Sequence, residues 1–294
     1  MVELAIITPS YAPDFELCRD LNTSVLACTP HFAVHYIITP RRDLPRFSVL
    51  RGPRTKVWPV EQLLPAYIVG IPGTNFWLNL RRPLPPVRGW VMQQIVKLQA
   101  ATLIEADMYL LVDSDVAFVR PVTAETFWRD GRIKFYRKTA GIDFNLPRHL
   151  IWHDVARRLL GLRRALPPLP DYISAFNVWD RYTVLALQQR IHEITGRPWI
   201  DVVAAQLHFS EFILYGVFVD EILGPDANVA PTDSLPCHSY WDPYPLDFNG
   251  ANQFINTMTI DDVAVMISAK SHTPLDVRRA ILSGLRGRAT KGYE

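Results

Sequence analysis

The sequence predicts an α/β fold built on a mainly parallel sheet flanked by helices, and three observations carry that prediction. Strand-length apolar runs at Leu4–Thr8, Ala33–Thr39, Met108–Val112 and Val263–Ser268 alternate with segments of helical period. The first two runs lie far enough apart for the helical crossover that a parallel pair needs. Over 294 residues, 49% are hydrophobic and 11% aromatic, enough to build a sizeable core.

Taken in order, Leu4–Thr8 stops at the turn-rich loop Pro9–Pro13, and Asp14 stands where a cap would start a helix over Phe15–Ala27. Ala33–Thr39 is the second strand, closed by Pro40, and short pieces between prolines follow from Leu44 to Val60. The stretch Ile71–Arg88, rich in Pro, Gly and Arg, reads as a loop. Trp90–Glu105 is the clearest helix: Met92, Ile95, Val96 and Leu103 share one face, with Gln93, Gln94 and Lys97 opposite. Met108–Val112 reads as a buried strand ending in Asp113-Ser114-Asp115. A helix over Pro147–Gly161 leads to an exposed loop at Arg163–Pro170, a short segment at Ile173–Trp179 and an amphipathic helix over Arg181–Thr195. A mixed region at Val202–Val219 precedes the last strand, Val263–Ser268, which is followed by Lys270-Ser-His272 and a basic C-terminal helix. Ligands on open parallel sheets sit beyond the carboxyl ends of the strands, which puts Thr8–Tyr11 and Asp113–Asp115 on one rim.

Composition excludes several classes. At 20% charged residues the chain is no polyelectrolyte, and a net charge of +2 gives no general drive towards nucleic acid. Arg outnumbers Lys 25 to 6, which matches either phosphate and carboxylate recognition or an Arg-rich codon bias. No apolar run approaches transmembrane length; the longest candidate is Phe212–Val219. Cys18, Cys28 and Cys237 form no CxxC pair and leave an odd count, against a disulfide framework or zinc knuckle. With no export signal read at the N-terminus, the expectation is a cytoplasmic protein, with peripheral contact at the inner face of the membrane left open.

The chemistry-bearing motif is Asp113-Ser114-Asp115. Two carboxylates one residue apart at a strand end converge on one hard cation if the turn rotates both inwards, and Mg²⁺ or Mn²⁺ accepts phosphate oxygens in its remaining positions. The alternative is a turn in which Asp merely punctuates the chain.

Ile7–Tyr11, Gln93–Leu98, Leu111–Val116 and Ser210–Gly216 together resemble the GT-A class of glycosyltransferases over about residues 1–220. More narrowly they resemble an uncharacterised bacterial family of that class, and more distantly the glycogenin and lipopolysaccharide galactosyltransferase group. That resemblance implies a single GT-A domain with a smaller acceptor-side subregion, divided into a nucleotide-sugar-binding half at 1–120 and an acceptor-side half at 121–294. It implies that Asp113, Ser114 and Asp115 meet the donor diphosphate through Mn²⁺ or Mg²⁺. Thr8, Ser10 and Tyr11 would line the nucleoside site, and Gln94 and Lys97 would face the phosphates or donor sugar. His272, just past the last strand, would be the third metal ligand, with His238 as competitor. The implied partners are a nucleotide sugar and a saccharide or lipid-linked acceptor, in cell-surface polysaccharide or glycolipid assembly.

On the acceptor side, Glu211 lies among aromatic and apolar residues and suits a base or a group binding acceptor hydroxyls; a solvated helix glutamate is the equal alternative. Ser174 and Asn177, near Trp179, offer hydrogen bonds to a sugar, and Tyr240 and Trp241 offer flat faces. The basic stretch Arg157–Arg164 and the tail Arg278, Arg279, Arg286, Arg288 and Lys291 can meet anionic lipid or simply be solvated. Rival readings stay open. A haloacid-dehalogenase-type phosphatase shares the paired aspartates, but here Ala117 stands where its motif wants Thr or Val; Asp261-Asp262 would be its later acidic motif. A sugar nucleotidyltransferase would want a Gly-rich loop after the first strand, and a non-catalytic sugar-nucleotide-binding protein would have little use for both aspartates.

Overall fold

The computed structural model describes residues 3–291, with side chains through Leu285 except that of Ala124. Its centre is a five-stranded sheet in the order Phe176–Asp180, Met108–Val112, Leu4–Pro9, Val34–Thr39, Thr55–Pro59. Every neighbouring pair is parallel except the edge pair Phe176–Asp180 with Met108–Val112, which is antiparallel. The mixed α/β architecture with a mainly parallel sheet is therefore as the sequence predicts.

Strand periodicity sorts the first strand between two layers. Ala5 and Ile7 join the core that contains the helix Gly89–Leu103. Leu4 and Ile6 join the core on the other face, with Leu21 and Val25 of the helix Phe15–Cys28. Ile6 and Ile7 are fully buried, each contributing roughly 1.5–3 kcal/mol by leaving water.

Two sequence expectations are overturned. The Pro-rich stretch after Ile71 is not a plain loop: Ile68–Gly70, Phe76–Asn79 and Arg82–Arg88 form a small antiparallel sheet. Its prolines sit on the edge strand Arg82–Arg88, where a missing N–H costs no ladder bond. The helix Gly89–Leu103 is also not one-sided: Leu103 is 44% exposed, while Gln94 and Lys97 are buried. The central sheet covers one side and the helices Arg181–Thr195, Trp199–Ala204 and Glu211–Val217 cover the other, so the helix is buried almost all round. Periodicity finds the sheet-facing stripe and misassigns the stripe that faces other helices.

A second, three-stranded sheet runs in the order Cys237–Tyr240, Ala264–Ile267, Val116–Phe118. Its strand Val116–Phe118 begins directly after Asp115, so Asp113–Asp115 is the hinge by which the chain leaves one sheet for the other. The C-terminal helix Leu275–Lys291 packs on the helix Phe248–Thr257 beside this second sheet. Among the described residues no helix is long and apolar enough to cross a membrane.

Candidate functional site

The carboxyl ends of the two central strands bring together what the sequence separates by about a hundred residues. Ser114 Oγ donates to Ser10 Oγ at 2.8 Å, fixing the aspartate turn against the loop after the first strand. Beside it, Ser10 and Tyr11 line a shallow cleft shared with Ile38, Val60, Trp77, Met92 and Val96. Asn75 and Gln93 add two carboxamides to its wall; Gln93 opens the Gln93–Leu98 segment, while Asn75 has no motif to mark it in the sequence.

Lys97 is the electrostatic centre of the rim. Its Nζ lies 3.0 Å from Asp113 Oδ1 and 3.0 Å from Glu211 Oε1, and 4.7 Å from the centroid of the Phe212 ring. Lys97 and Glu211 side chains are each 5% exposed, Asp113 62%. Burial works against the ammonium, but the Asp113 and Glu211 carboxylates outweigh it and raise the Lys97 pKa, so the side chain stays cationic. Glu211 opens the helix Glu211–Val217, which Ser210 caps through its hydroxyl and the Ile213 N–H. The Glu211 N–H donates to Gln94 Oε1 at 3.0 Å, and Gln94 Nε2 donates to the Trp90 carbonyl at 3.3 Å. Gln94 is thus spent on holding Glu211 in place rather than presented to a donor. A solvated Glu211 is excluded by its burial.

Asp115 has different surroundings. Its Oδ2 accepts the Ala269 N–H at 2.7 Å, from the turn after the strand Ala264–Ile267. That turn is held by Arg278, which donates to the carbonyls of Ile267 at 2.6 Å, Ser268 at 2.7 Å and Thr273 at 3.0 Å. Burial, and after it the Asp113 charge, push the Asp115 carboxyl up to about 6, with the Ala269 N–H and Arg278 opposing. Burial and then Asp113 also raise Asp14, and Arg278 again opposes. Asp14 and Arg278 are the two residues that sequence reasoning missed here. Asp14 reads as a helix cap, yet its side chain makes no capping hydrogen bond. Arg278 reads as one charge of an exposed basic tail, yet it is buried.

The remaining predicted residues are distributed as follows. Thr8 is fully buried below the rim, its hydroxyl 3.0 Å from His35 Nε2, while His35 Nδ1 lies 2.9 Å from Asn22 Oδ1; Thr8 lies in this network and not in the cleft wall. Asn177, inside the central sheet opposite Leu111, donates to the Ser174 carbonyl at 2.8 Å, so the pair is engaged with itself. Tyr240 donates its hydroxyl to the Tyr244 carbonyl at 3.0 Å, and Trp241 is 59% exposed beside it. His238 packs on Phe254 with ring centroids 4.3 Å apart and sits 3.2 Å from Thr257 Oγ1, away from the aspartates' hydrogen-bond partners. His272 is exposed at the end of the turn that grips Asp115, with a left-handed φ of 53°.

The basic patches are mostly committed within the chain. Arg157 is buried and bonded to Glu221, Arg164 pairs with Asp154 at 3.1 Å, and Arg279 pairs with Glu16 and Asp20 at 2.9 and 2.8 Å. The side chains of Arg286, Arg288 and Lys291 lie outside the described residues.

Among the described residues, no three His, Cys, Asp or Glu side chains are gathered as a ready metal cage. The donor set still fits a hard divalent cation. Asp113 and Asp115 offer carboxylate oxygens, and a cation between them would offset both the burial that chiefly raises Asp115 and the Asp113 charge that adds to it.

A protein-family model described as "Family of unknown function (DUF6492)" matches residues 3–228, and the chain belongs to that family. A comparison with curated proteins finds no match. Among solved structures the chain shares the fold of the bifunctional glycosyltransferase WbbM, with a TM-score of 0.53 and 9% identity. The match covers 99% of this chain and 51% of that one, so the chain spans about half of WbbM. Looser similarity extends to an active-site mutant of LgtC, at TM-score 0.48 and 13% identity over 97% of this chain and 95% of that one. Mouse xyloside xylosyltransferase 1 follows at TM-score 0.47 and 12% identity, over 93% and 100%.

Proposed function

We propose that this member of the family is a metal-dependent GT-A-type glycosyltransferase, moving a sugar from a nucleoside diphosphate to a hydroxyl acceptor. The observation that carries the reading is the Asp113–Asp115 turn at the carboxyl rim of a mainly parallel sheet, next to the cleft of Ser10 and Tyr11 and tied to a buried Lys97–Glu211 pair. The fold shared with WbbM supports it.

In this reading Ser10, Tyr11, Asn75 and Gln93 receive the nucleoside. Asp113 and Asp115 hold Mn²⁺ or Mg²⁺, with His272 as the candidate third ligand. The metal, when bound, supplies positive charge that offsets the departing diphosphate. Lys97, buried and held cationic, adds a fixed positive charge at the same rim, in a dry setting where it acts more strongly than in water. Glu211 Oε1 is taken by Lys97, and in this reading Oε2 is the oxygen that would meet an acceptor hydroxyl. The acceptor class that suits the reading is a cell-surface saccharide or glycolipid.

Asp115→Ala tests it. Nucleoside diphosphate release from nucleotide sugars in Mn²⁺ is expected to fall about a hundredfold or more, with cooperative unfolding retained. Full activity in the variant sinks the site. Release of phosphate or pyrophosphate by the wild type favours a phosphatase or a nucleotidyltransferase instead. A thermal-shift screen of nucleoside diphosphates with Mn²⁺ identifies the base, since a ligand that binds the native state raises its melting point.

A further inference from the structure

The amino end of the helix Gly89–Leu103 carries a feature that the donor site does not use. The Trp90 and Trp152 rings lie 5.5 Å apart at 33°, and the His149 ring lies 4.7 Å from Trp152 at 34°. The result is a tilted stack of three rings between two helices. Two ring nitrogens in it, Trp152 Nε1 and His149 Nδ1, are buried without any hydrogen-bond partner. Buried donors are nearly always satisfied in native proteins, so two neighbouring orphans ask for a group that arrives from outside. What covers the rings is the Arg148 guanidinium, 5.0 Å from both tryptophan centroids. Arg148 is exposed, and it meets the stack by stacking on the two tryptophan rings. Burial holds the His149 imidazole below its ordinary pKa, with Asp171 opposing; at neutral pH it is uncharged and suited to a neutral polar ligand.

Position ties this stack to the reaction centre. Trp90, Gln94 and Lys97 stand at spacings of four and three, on one face of one helix. The Trp90 carbonyl accepts from Gln94 Nε2, and Gln94 Oε1 accepts the Glu211 N–H. At a rise of 1.5 Å per residue, the stack lies about 10 Å along the helix from Lys97.

We propose that Trp90, His149 and Trp152 form a second carbohydrate subsite, which seats a neutral sugar ring of the acceptor behind the hydroxyl presented to Glu211. The apolar face of the sugar replaces the Arg148 guanidinium over the tryptophans, and its hydroxyls take up Trp152 Nε1–H and His149 Nδ1. A lipid tail would leave both nitrogens unpaired. The proposal rests on the glycosyltransferase reading, but its test is separable from it.

The probe is an array of immobilised neutral oligosaccharides, read with fluorescently labelled protein, alongside thermal shifts with nucleoside diphosphates and Mn²⁺. Wild type is expected to retain a defined set of glycans. Trp90→Ala, at a half-buried position, should weaken that set at least tenfold. Trp152→Phe, which keeps a ring in the core but removes the N–H, should weaken it several-fold. Both variants should keep the nucleoside diphosphate shift, which also shows that they fold. Glycan binding that is absent in wild type, or unchanged in both variants, overturns the subsite while the nucleoside diphosphate shift stands. Loss of that shift in wild type overturns the donor reading instead.

Discussion

Asp113 and Asp115 are one residue apart in the chain and belong to two different structures. Asp113 ends a strand of the central sheet, lies largely in solvent, and is paired with a lysine buried beneath it. Asp115 leads into the second sheet, is half-buried, and is held by the turn that Arg278 braces from the C-terminal helix. One side offers an open carboxylate with a cation already in place; the other offers a half-buried carboxylate whose pKa is raised to about 6. A turn that straddles two sheets can present two carboxylates with opposite electrostatic character to one ligand. It also makes the site depend on residues 229–294, which lie beyond the segment that the family model matches.

The sharpest way to break this contrast is to remove the buried cation. Lys97→Met strands Glu211 and should cost about 3–5 kcal/mol, because an unpaired buried charge is worse than none. Urea unfolding measures it, and adding Glu211→Leu should recover most of the loss. A Lys97→Met variant as stable as wild type would mean that water already reaches the pair.

Acidification should drive the two regions in opposite directions. On the central-sheet side, burial pulls His35 down to about 3 from the ordinary 6.5. Below pH 6.5 the unfolded chain takes up a proton that native His35 refuses, so stability falls with pH. Going from pH 7.5 to 5 should cost about 2 kcal/mol through this group. Its hydrogen bonds suit the neutral ring that burial favours: one tautomer donates from Nδ1 to Asn22 Oδ1 and accepts the Thr8 hydroxyl at Nε2. On the second-sheet side, Asp115 sits at about 6 against 3.8 when unfolded. There the native state takes up the proton first, and metal-free stability rises by about 1.4 kcal/mol over the same change. Urea midpoints at the two pH values, compared with wild type, should show that His35→Gln removes about 2 kcal/mol of the acid loss and Asp115→Asn about 1.4 kcal/mol of the acid gain.

The smallest effect is expected where the C-terminal helix meets the helix Phe15–Cys28. Arg279 pairs with Glu16 and Asp20 but is 40% exposed, so Arg279→Ala should cost under about 1 kcal/mol and less still in high salt. A larger, salt-independent loss would show that this contact also sets the position of Arg278.

The apolar runs, their spacing and the aspartate pair after a strand are local patterns, and by themselves they determined the α/β class, the three inner strands of the central sheet and the shared rim of Ser10, Tyr11 and Asp113–Asp115, while the edge strands Thr55–Pro59 and Phe176–Asp180 and the placing of Ala264–Ile267 in the second sheet came only with the tertiary structure. Glu211 and Lys97 were visible as candidates, but that they touch was not, because helical periodicity records one buried face and the helix Gly89–Leu103 has two. Asp14 and Arg278 looked like a cap and a surface charge, since nothing local tells a braced arginine from a solvated one. Thr8 had the right place along its strand and the wrong side of the sheet, with His35 taking its hydroxyl. Only the tertiary structure could decide these points. Burial and ion pairing depend on which distant element covers a side chain, and here the cover comes from residues more than a hundred positions away: Glu211 over Lys97, and the turn at Ala269 over Asp115.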